Sequence, residues 1–166
     1  MTEMAASPKG WTTFAWQSDY GQFYLVDRGD DAFEAPVQIS AEMEARCLFV
    51  MSSGIAVYTQ SCLQQHIRIA IYDREPDHPL ADPMSEKPWT HVETVEVRFP
   101  SKSFAISSPS MPDPLPNGPM FLVDTVACAM RISWMEFEGS RDDSIPVDPD
   151  VIDIAIWPAL TENEVS

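Results

Sequence analysis

Two segments of the chain alternate aliphatic and other residues with the period of a half-buried β-strand. In HIRIAIYD, residues 66–73, three isoleucines fall on one face. In DVIDIAIW, residues 150–157, three more isoleucines fall on one face, and Asp153 is predicted to point to solvent on the other. Both segments are therefore predicted to be strands that turn one face to a hydrophobic core.

Seven further segments show the same alternation less regularly. They are residues 20–27, 47–51, 55–59, 92–99, 104–107, 120–125 and 127–138. Short strands separated by clusters of Gly, Pro and Asp are typical of an antiparallel sandwich or barrel. We therefore predict an all-β fold, an antiparallel β-sandwich of about seven to nine short strands.

Little helix is expected beside these strands. The segment AEMEAR, residues 41–46, is predicted to form one short helix with Ser40 as its N-cap. The length of 166 residues suits a single β-sandwich domain over residues 1–166. Residues 1–10 and 160–166 are predicted to be flexible termini, and the proline-rich stretch 109–119 is predicted to be a loop.

The composition changes this picture mainly through charge. The chain has 26 Asp and Glu against 10 Lys and Arg, which gives a formal net charge of −16 at pH 7. A field of this sign repels nucleic acid and anionic lipid, and it speeds encounter with basic partners. Binding to nucleic acid or to a membrane surface is therefore not expected, although acidity can also serve solubility alone.

The cysteines and the apolar stretches indicate the cellular compartment in which the protein is expected. Cys47, Cys62 and Cys128 are widely spaced and form no C-x-x-C pair, so we expect small buried side chains in a reducing compartment. The start MTEMAASPKGW lacks the apolar run of a secretory signal, and no apolar stretch is long enough to span a bilayer. These features predict a cytoplasmic protein.

Residues with catalytic or metal-binding chemistry are sparse. His66, His78 and His91 lie in no catalytic motif, and six glycines offer little material for a phosphate-binding loop. The segment 73–82 contains three aspartates and a histidine, but their spacing matches no defined metal loop. We therefore predict no enzymatic activity, no catalytic residue, no metal site and no cofactor.

The acidic segment 136–150, EFEGSRDDSIPVDPD, is the main candidate for a binding site. Arg141 is the only cation in this segment. The candidate partner-binding residues are Glu136, Glu138, Asp142, Asp143, Asp148 and Asp150, with Trp89 from another loop as an aromatic anchor. Neighbouring carboxylates repel one another, and a basic protein partner would relieve that repulsion. A solvated connection and a calcium loop are the alternatives, although the EF-hand pattern is missing.

The segment SDYGQFYLVD, residues 18–27, joins a glutamine to an aromatic strand that ends in aspartate. It resembles the first strand of the competence protein J family, β-rich bacterial proteins associated with inhibition of a DNA-entry nuclease. The order of the later segments is similar, with GIAVYTQSC and HIRIAIYD followed by VEVRFPS, FAISS and two terminal strands. The similarity in order extends from Trp11 to Pro158, apart from the proline-rich and acidic segments. It implies a small cytoplasmic protein that binds and silences a nuclease or toxin and carries no catalytic residues.

Three functions remain open at this point. The first is an acidic protein-binding inhibitor, an immunity protein or nuclease inhibitor that occludes the basic cleft of a toxin or nuclease. The second is a calcium- or small-ligand-binding β-sandwich module. The third is a structural subunit of a bacterial assembly.

Overall fold

The computed structural model describes residues 6–17, 21–30, 34–59, 64–77, 89–109, 120–135 and 150–160. Within these ranges the chain forms ten β-strands and one short α-helix, and the strands make two five-stranded sheets. The predicted all-β sandwich with little helix is therefore confirmed. Within the described ranges, no helix is long and apolar enough to cross a membrane.

The two sheets are named A and B. In spatial order, sheet A consists of β1 (Gly10–Gln17), β5 (Gln64–Ile71), β10 (Asp150–Pro158), β9 (Ala127–Met135) and β6 (His91–Arg98). Sheet B consists of β3 (Leu48–Met51), β4 (Gly54–Tyr58), β2 (Gln22–Asp27), β7 (Ser103–Ser107) and β8 (Met120–Leu122). The helix, α1 (Ala41–Arg46), precedes β3.

Neighbouring strands are antiparallel, as predicted, except at one pair. The central strands β5 and β10 run parallel, with Ile67 opposite Ile152 and Ile69 opposite Ile154. The alternation within β5 and β10 predicts their core-facing isoleucines correctly, but it contains no information on the direction in which two strands meet.

The inward faces of both sheets form one hydrophobic core. Phe99, Phe104 and Phe121 stack in series, with ring centroids 4.6 Å and 4.9 Å apart. Isoleucines from both central strands of sheet A are fully buried in the same core cluster, namely Ile67, Ile69, Ile152 and Ile154. Each such side chain stabilises the fold by roughly 1.5–3 kcal/mol through removal of apolar surface from water.

The helix forms where the sequence predicts it. Ser40 Oγ accepts a hydrogen bond from Met43 N at 3.2 Å, and the helix ends at Arg46, followed by Cys47 as its C-cap in a left-handed conformation with φ 58°. Met43 packs on the outer face of sheet B, against the cluster that contains Tyr24 and Tyr58. The helix therefore covers part of a sheet face that would otherwise expose aromatic surface.

The outer face of sheet A is also partly covered, and this overturns one prediction. Asp153, predicted to point to solvent, is only 4% exposed. Tyr72 and Trp157 are buried on the same face, in a small cluster against which Ala6 packs. Alternation in β10 defines two faces, but it does not indicate whether a second layer covers the polar one.

Strand directions place the connections at two ends of the sandwich. At one end, here called the β9–β10 end, β9 finishes at Met135, β10 begins at Asp150 and β6 begins at His91. At the opposite end, here called the Asp27 end, β2 finishes at Asp27 and β7 begins at Ser103.

Candidate functional site

Two of the predicted partner-binding residues, Trp89 and Asp150, lie within the described ranges, and both are at the β9–β10 end. Asp150 begins β10, and Trp89 stands two residues before β6. Strands β6 and β10 flank β9, so the two residues approach the same end from either side of Met135. Neighbouring strands are about 4.8 Å apart, which puts the backbones of β6 and β10 roughly 10 Å from each other.

The other predicted partner-binding residues lie in 136–149, outside the described ranges. They are Glu136, Glu138, Asp142, Asp143 and Asp148. The chain enters this segment from the end of β9 and leaves it at the start of β10, on the adjacent strand. The strand order therefore ties the acidic segment to the end of the sandwich where Trp89 lies.

A network of side chains fixes helix α1 to sheet A at this end. His91 Nε2 lies 3.3 Å from Glu93 Oε1 and 3.3 Å from the Arg46 carbonyl oxygen. Arg46 Nη2 donates to Glu93 Oε2 at 3.3 Å. These contacts are partly exposed, so each contributes little to stability by itself, but together they hold the end of the helix against β6.

A buried tryptophan joins the two sheets beneath that network. The His91 and Trp134 rings have centroids 5.2 Å apart. Trp134 Nε1 donates across the core to the Tyr58 carbonyl oxygen at 3.1 Å. Thr90 donates to the Trp134 carbonyl oxygen through both its backbone N and its Oγ1, each at 2.8 Å. Trp89 directly precedes Thr90, whose backbone is held by this hydrogen bond, and Trp89 itself is half-buried.

A buried carboxylate stabilises the Asp27 end. Asp27 Oδ1 accepts a hydrogen bond from Gly29 N at 2.7 Å, and Oδ2 accepts from Ser101 N at 2.8 Å and Ser101 Oγ at 2.9 Å. Asp27 is the aspartate that ends the aromatic strand in the family resemblance. Sequence reasoning did not predict its role, which is to join two turns.

A charged cluster on the outer face of sheet A was missed entirely from the sequence. Arg68 Nε donates to Asp153 Oδ1 at 2.5 Å, and the Arg131 guanidinium lies 5.7 Å from the centre of the Trp157 ring. Burial raises the pKa of Asp153 above its usual range, while the hydrogen bond and charge of Arg68 oppose that shift. Arg68 and Arg131 are the single arginines of β5 and β9, and only the pairing of both strands with β10 brings them to one face, so the sequence contains no signal for this cluster.

Other candidate groups have simple environments. Burial raises the pKa of the Cys128 thiol, which keeps it protonated, as expected for a small core residue, and Cys62 lies outside the described ranges. In the parts of the chain that the structure describes, no three His, Cys, Asp or Glu side chains are grouped to hold a metal ion. Of the candidate metal segment 73–82, residues 78–82 lie outside those parts, and Asp73 and Asp77 are exposed.

The acidic residues are unevenly distributed along the chain. Half of the 26 acids, but only Lys87 and Arg141 among the ten basic residues, fall in the segments outside the described ranges. The described residues therefore have 13 acids and eight basic residues, a formal net charge of −5, and the remaining −11 belongs to the segments outside the described ranges.

Comparison with known proteins gives a likeness in structure. No protein-family model and no curated sequence matches the chain. The solved structure of ComJ from Bacillus subtilis, described as an inhibitor of the DNA-degrading activity of NucA, superposes with a TM-score of 0.62 at 10% identity, covering 94% of this chain and all of ComJ. A structure described as crocagin biosynthetic gene J gives a TM-score of 0.56 at 12% identity, covering 93% of this chain and 99% of that one. The resemblance predicted from strand order is thus confirmed at the level of the fold, and this chain is similar in fold to ComJ over nearly its whole length.

Proposed function

We propose that this protein is an acidic protein-binding inhibitor that occludes a basic nuclease or toxin. The observation that carries the proposal is the ComJ-like fold, which extends over 94% of the chain. ComJ is described as the inhibitor of a DNA-degrading activity. The net charge of −16 favours a basic partner and disfavours direct binding to DNA.

The β9–β10 end is the proposed contact surface. It combines the acidic segment that joins β9 to β10 with the half-buried Trp89. The Arg46, Glu93 and His91 network and the Trp134 hydrogen bond make the underlying structure rigid. Little ordering cost is expected for these groups on binding, because their positions are already fixed in the free protein.

The proposed mechanism is exclusion of substrate. A nuclease binds the phosphates of DNA in a basic cleft, and carboxylates presented at the rim of that cleft compete for the same positive charges. An aromatic side chain within the ring of charge would supply apolar contact area. No bond is made or broken in this mechanism, so the protein needs no catalytic residue.

Two charge-matched variants test the contact surface. The first replaces Asp142, Asp143 and Asp148 with Asn, and Asp150 is left intact because it begins β10. The control is Asp73→Asn, Glu75→Gln and Asp77→Asn, three exposed acids that follow β5 at the Asp27 end. Both variants lose three charges, so they differ only in where the charge is removed.

The partner for this test is captured from a lysate of the organism that encodes the protein, with washes at low and high salt. We expect a basic nuclease or toxin that is released at high salt, because surface charge pairs are screened. The variant at 142, 143 and 148 should bind it at least about tenfold more weakly than the control variant does, since close charge pairs across interfaces are strongly coupled. Equal affinities of the two variants would remove this end from the interface.

A further inference from the structure

Strand β1 is an edge of sheet A, and it lacks the features that usually protect such an edge. Within the described ranges, β5 is the only strand that pairs with it, over eight consecutive residues. Charged side chains, prolines, bulges or short length commonly prevent an edge strand from pairing with another chain. The sequence GWTTFAWQ contains no charged residue and no proline, and its pairing with β5 has no bulge. Strand β1 can therefore accept a further strand.

The other three edges of the sandwich differ from β1. Strand β6, at the opposite edge of sheet A, contains two glutamates, a histidine and an arginine. In sheet B, the edge strand β3 has four residues and the edge strand β8 has three. Among the described strands, β1 is thus the only edge that is both long and uncharged.

The outer face of β1 is complementary to itself in size. Trp11, Thr13 and Ala15 follow one another on this face and are all exposed, and Trp11 has 66% of its surface accessible. Antiparallel pairing of two β1 strands about a two-fold axis at Thr13 sets Trp11 of each copy opposite Ala15 of the other. A large ring then lies beside a small side chain in both halves of the contact, and the two threonines face each other. Exposed aromatic surface is removed from water, which favours association.

The charges around β1 are compatible with this pairing, although each copy has a net charge of −16. Arg68, on the neighbouring strand β5, is paired with Asp153, and Lys9, next to β1, is paired with Asp124. Strand β1 runs from the Asp27 end to the β9–β10 end, so antiparallel pairing directs the β9–β10 ends of the two copies in opposite directions. The acidic connections between β9 and β10 therefore leave the joined sheet at opposite ends.

We propose that two copies of this protein form a dimer in which their β1 strands pair antiparallel about a two-fold axis at Thr13. The two A sheets, of five strands each, then form one continuous sheet, and the long uncharged edge is paired in both copies. A strand pair over residues 10–16 is about 23 Å long, which gives a contact below the roughly 800 Å² per partner of a standard interface. The dimer is therefore expected to dissociate on dilution. It does not depend on the proposed inhibitor function.

Sedimentation equilibrium of the purified protein, from about 1 μM to about 1 mM, covers the affinities expected for a contact of this size. We expect a dimer at the upper concentrations. Added salt should strengthen it, because screening weakens the repulsion between two acidic copies. A protein that stays monomeric over the whole range, at low and at high salt, would overturn the proposal.

Two matched variants locate the contact. Thr13→Lys and Thr94→Lys each add one positive charge at an exposed threonine on an edge strand of sheet A, and each threonine lies opposite an arginine of the neighbouring strand. Thr13→Lys sets two like charges opposite each other in the dimer, so its dimer should be roughly fivefold weaker than that of Thr94→Lys. Equal dimerisation of the two variants would place the interface elsewhere and overturn the proposal.

An exchange of charge separates a lost contact from a folding defect. Thr13→Glu alone should weaken the dimer as Thr13→Lys does, because like charges again face each other. An equimolar mixture of the two variant proteins should dimerise more readily than either one alone, since opposite charges then meet across the axis. A mixture that associates no better than its components would rule out pairing about Thr13.

Discussion

At the scale of single residues, Asp27 shows how one buried carboxylate joins distant parts of the chain. Its side chain accepts hydrogen bonds from the turn after β2 and from the turn before β7. We expect Asp27→Ala to lower the free energy of unfolding by about 2 kcal/mol, because donors in both turns lose their acceptor. Asp73→Ala removes an exposed carboxylate and should change it by less than about 0.5 kcal/mol. Urea unfolding of both variants checks this, and equal stability of the two would contradict it.

Tyr24 makes stability depend on alkaline pH. Burial, and to a smaller extent the nearby Tyr58, raises the pKa of Tyr24 from 10.0 to about 12. Because the folded pKa is above the unfolded one, this contribution to stability is complete below pH 10 and is lost as the pH rises towards 12. Titration of phenolate absorbance should show a late transition, and Tyr24→Phe should reduce its amplitude by one tyrosine, because burial also raises the pKa of Tyr58 and Tyr72. A wild-type protein whose tyrosines all ionise at their ordinary pKa would contradict this expectation.

The isoleucines and Asp153 show what the sequence reveals at this scale. The inward isoleucines of β5 and β10 could be predicted, since period-two alternation defines the face that a strand turns to the core. The burial of Asp153 could not, because its cover comes from outside its own strand. For the same reason, the sequence does not reveal the environment of Arg131 and Ser133, two residues of β9 that lie on the same face of sheet A as Asp153 of β10.

At the scale of elements, the strands with strong alternation and the capped helix were predictable, and the edge strand β1 was not. Strand β1 turns Trp11 outward with 66% of its surface exposed, and its core-facing Phe14 is only partly buried. An edge strand of this kind lacks a continuous buried face, so its sequence contains little alternation. The parallel pairing of β5 and β10 depends on the path of the whole chain rather than on either strand.

The pairing of β2 with β4 should be unusually sensitive to one glycine. A Cβ atom at Gly54 would lie 2.3 Å from the Leu25 carbonyl oxygen and 3.1 Å from Val26 Cα, both in the backbone of β2. We expect Gly54→Ala to cost about 3 kcal/mol or more, because backbone atoms of a central strand must move. Gly10→Ala on β1 meets nothing within 4 Å and is the matched control. Thermal unfolding of both variants measures this difference in stability. A Gly54→Ala protein as stable as the control would contradict the close contact between residue 54 and the β2 backbone.

At the scale of the whole molecule, charge and topology contribute different parts of the candidate site. The net charge of −16 and the acidic segment were evident from the sequence, and they predicted the sign of a partner. The sequence did not indicate that Trp89 and Asp150 approach the same end, because that depends on β6 and β10 both flanking β9. The proposed contact surface therefore combines a property of composition with one of strand order.

The most direct test of the proposed function is a titration of DNA degradation by the captured partner with the purified protein. An occluding inhibitor should abolish degradation close to one equivalent at low salt, and inhibition should weaken as salt screens the charges. Full DNA degradation in the presence of a large excess of the protein, at low salt, would contradict the account.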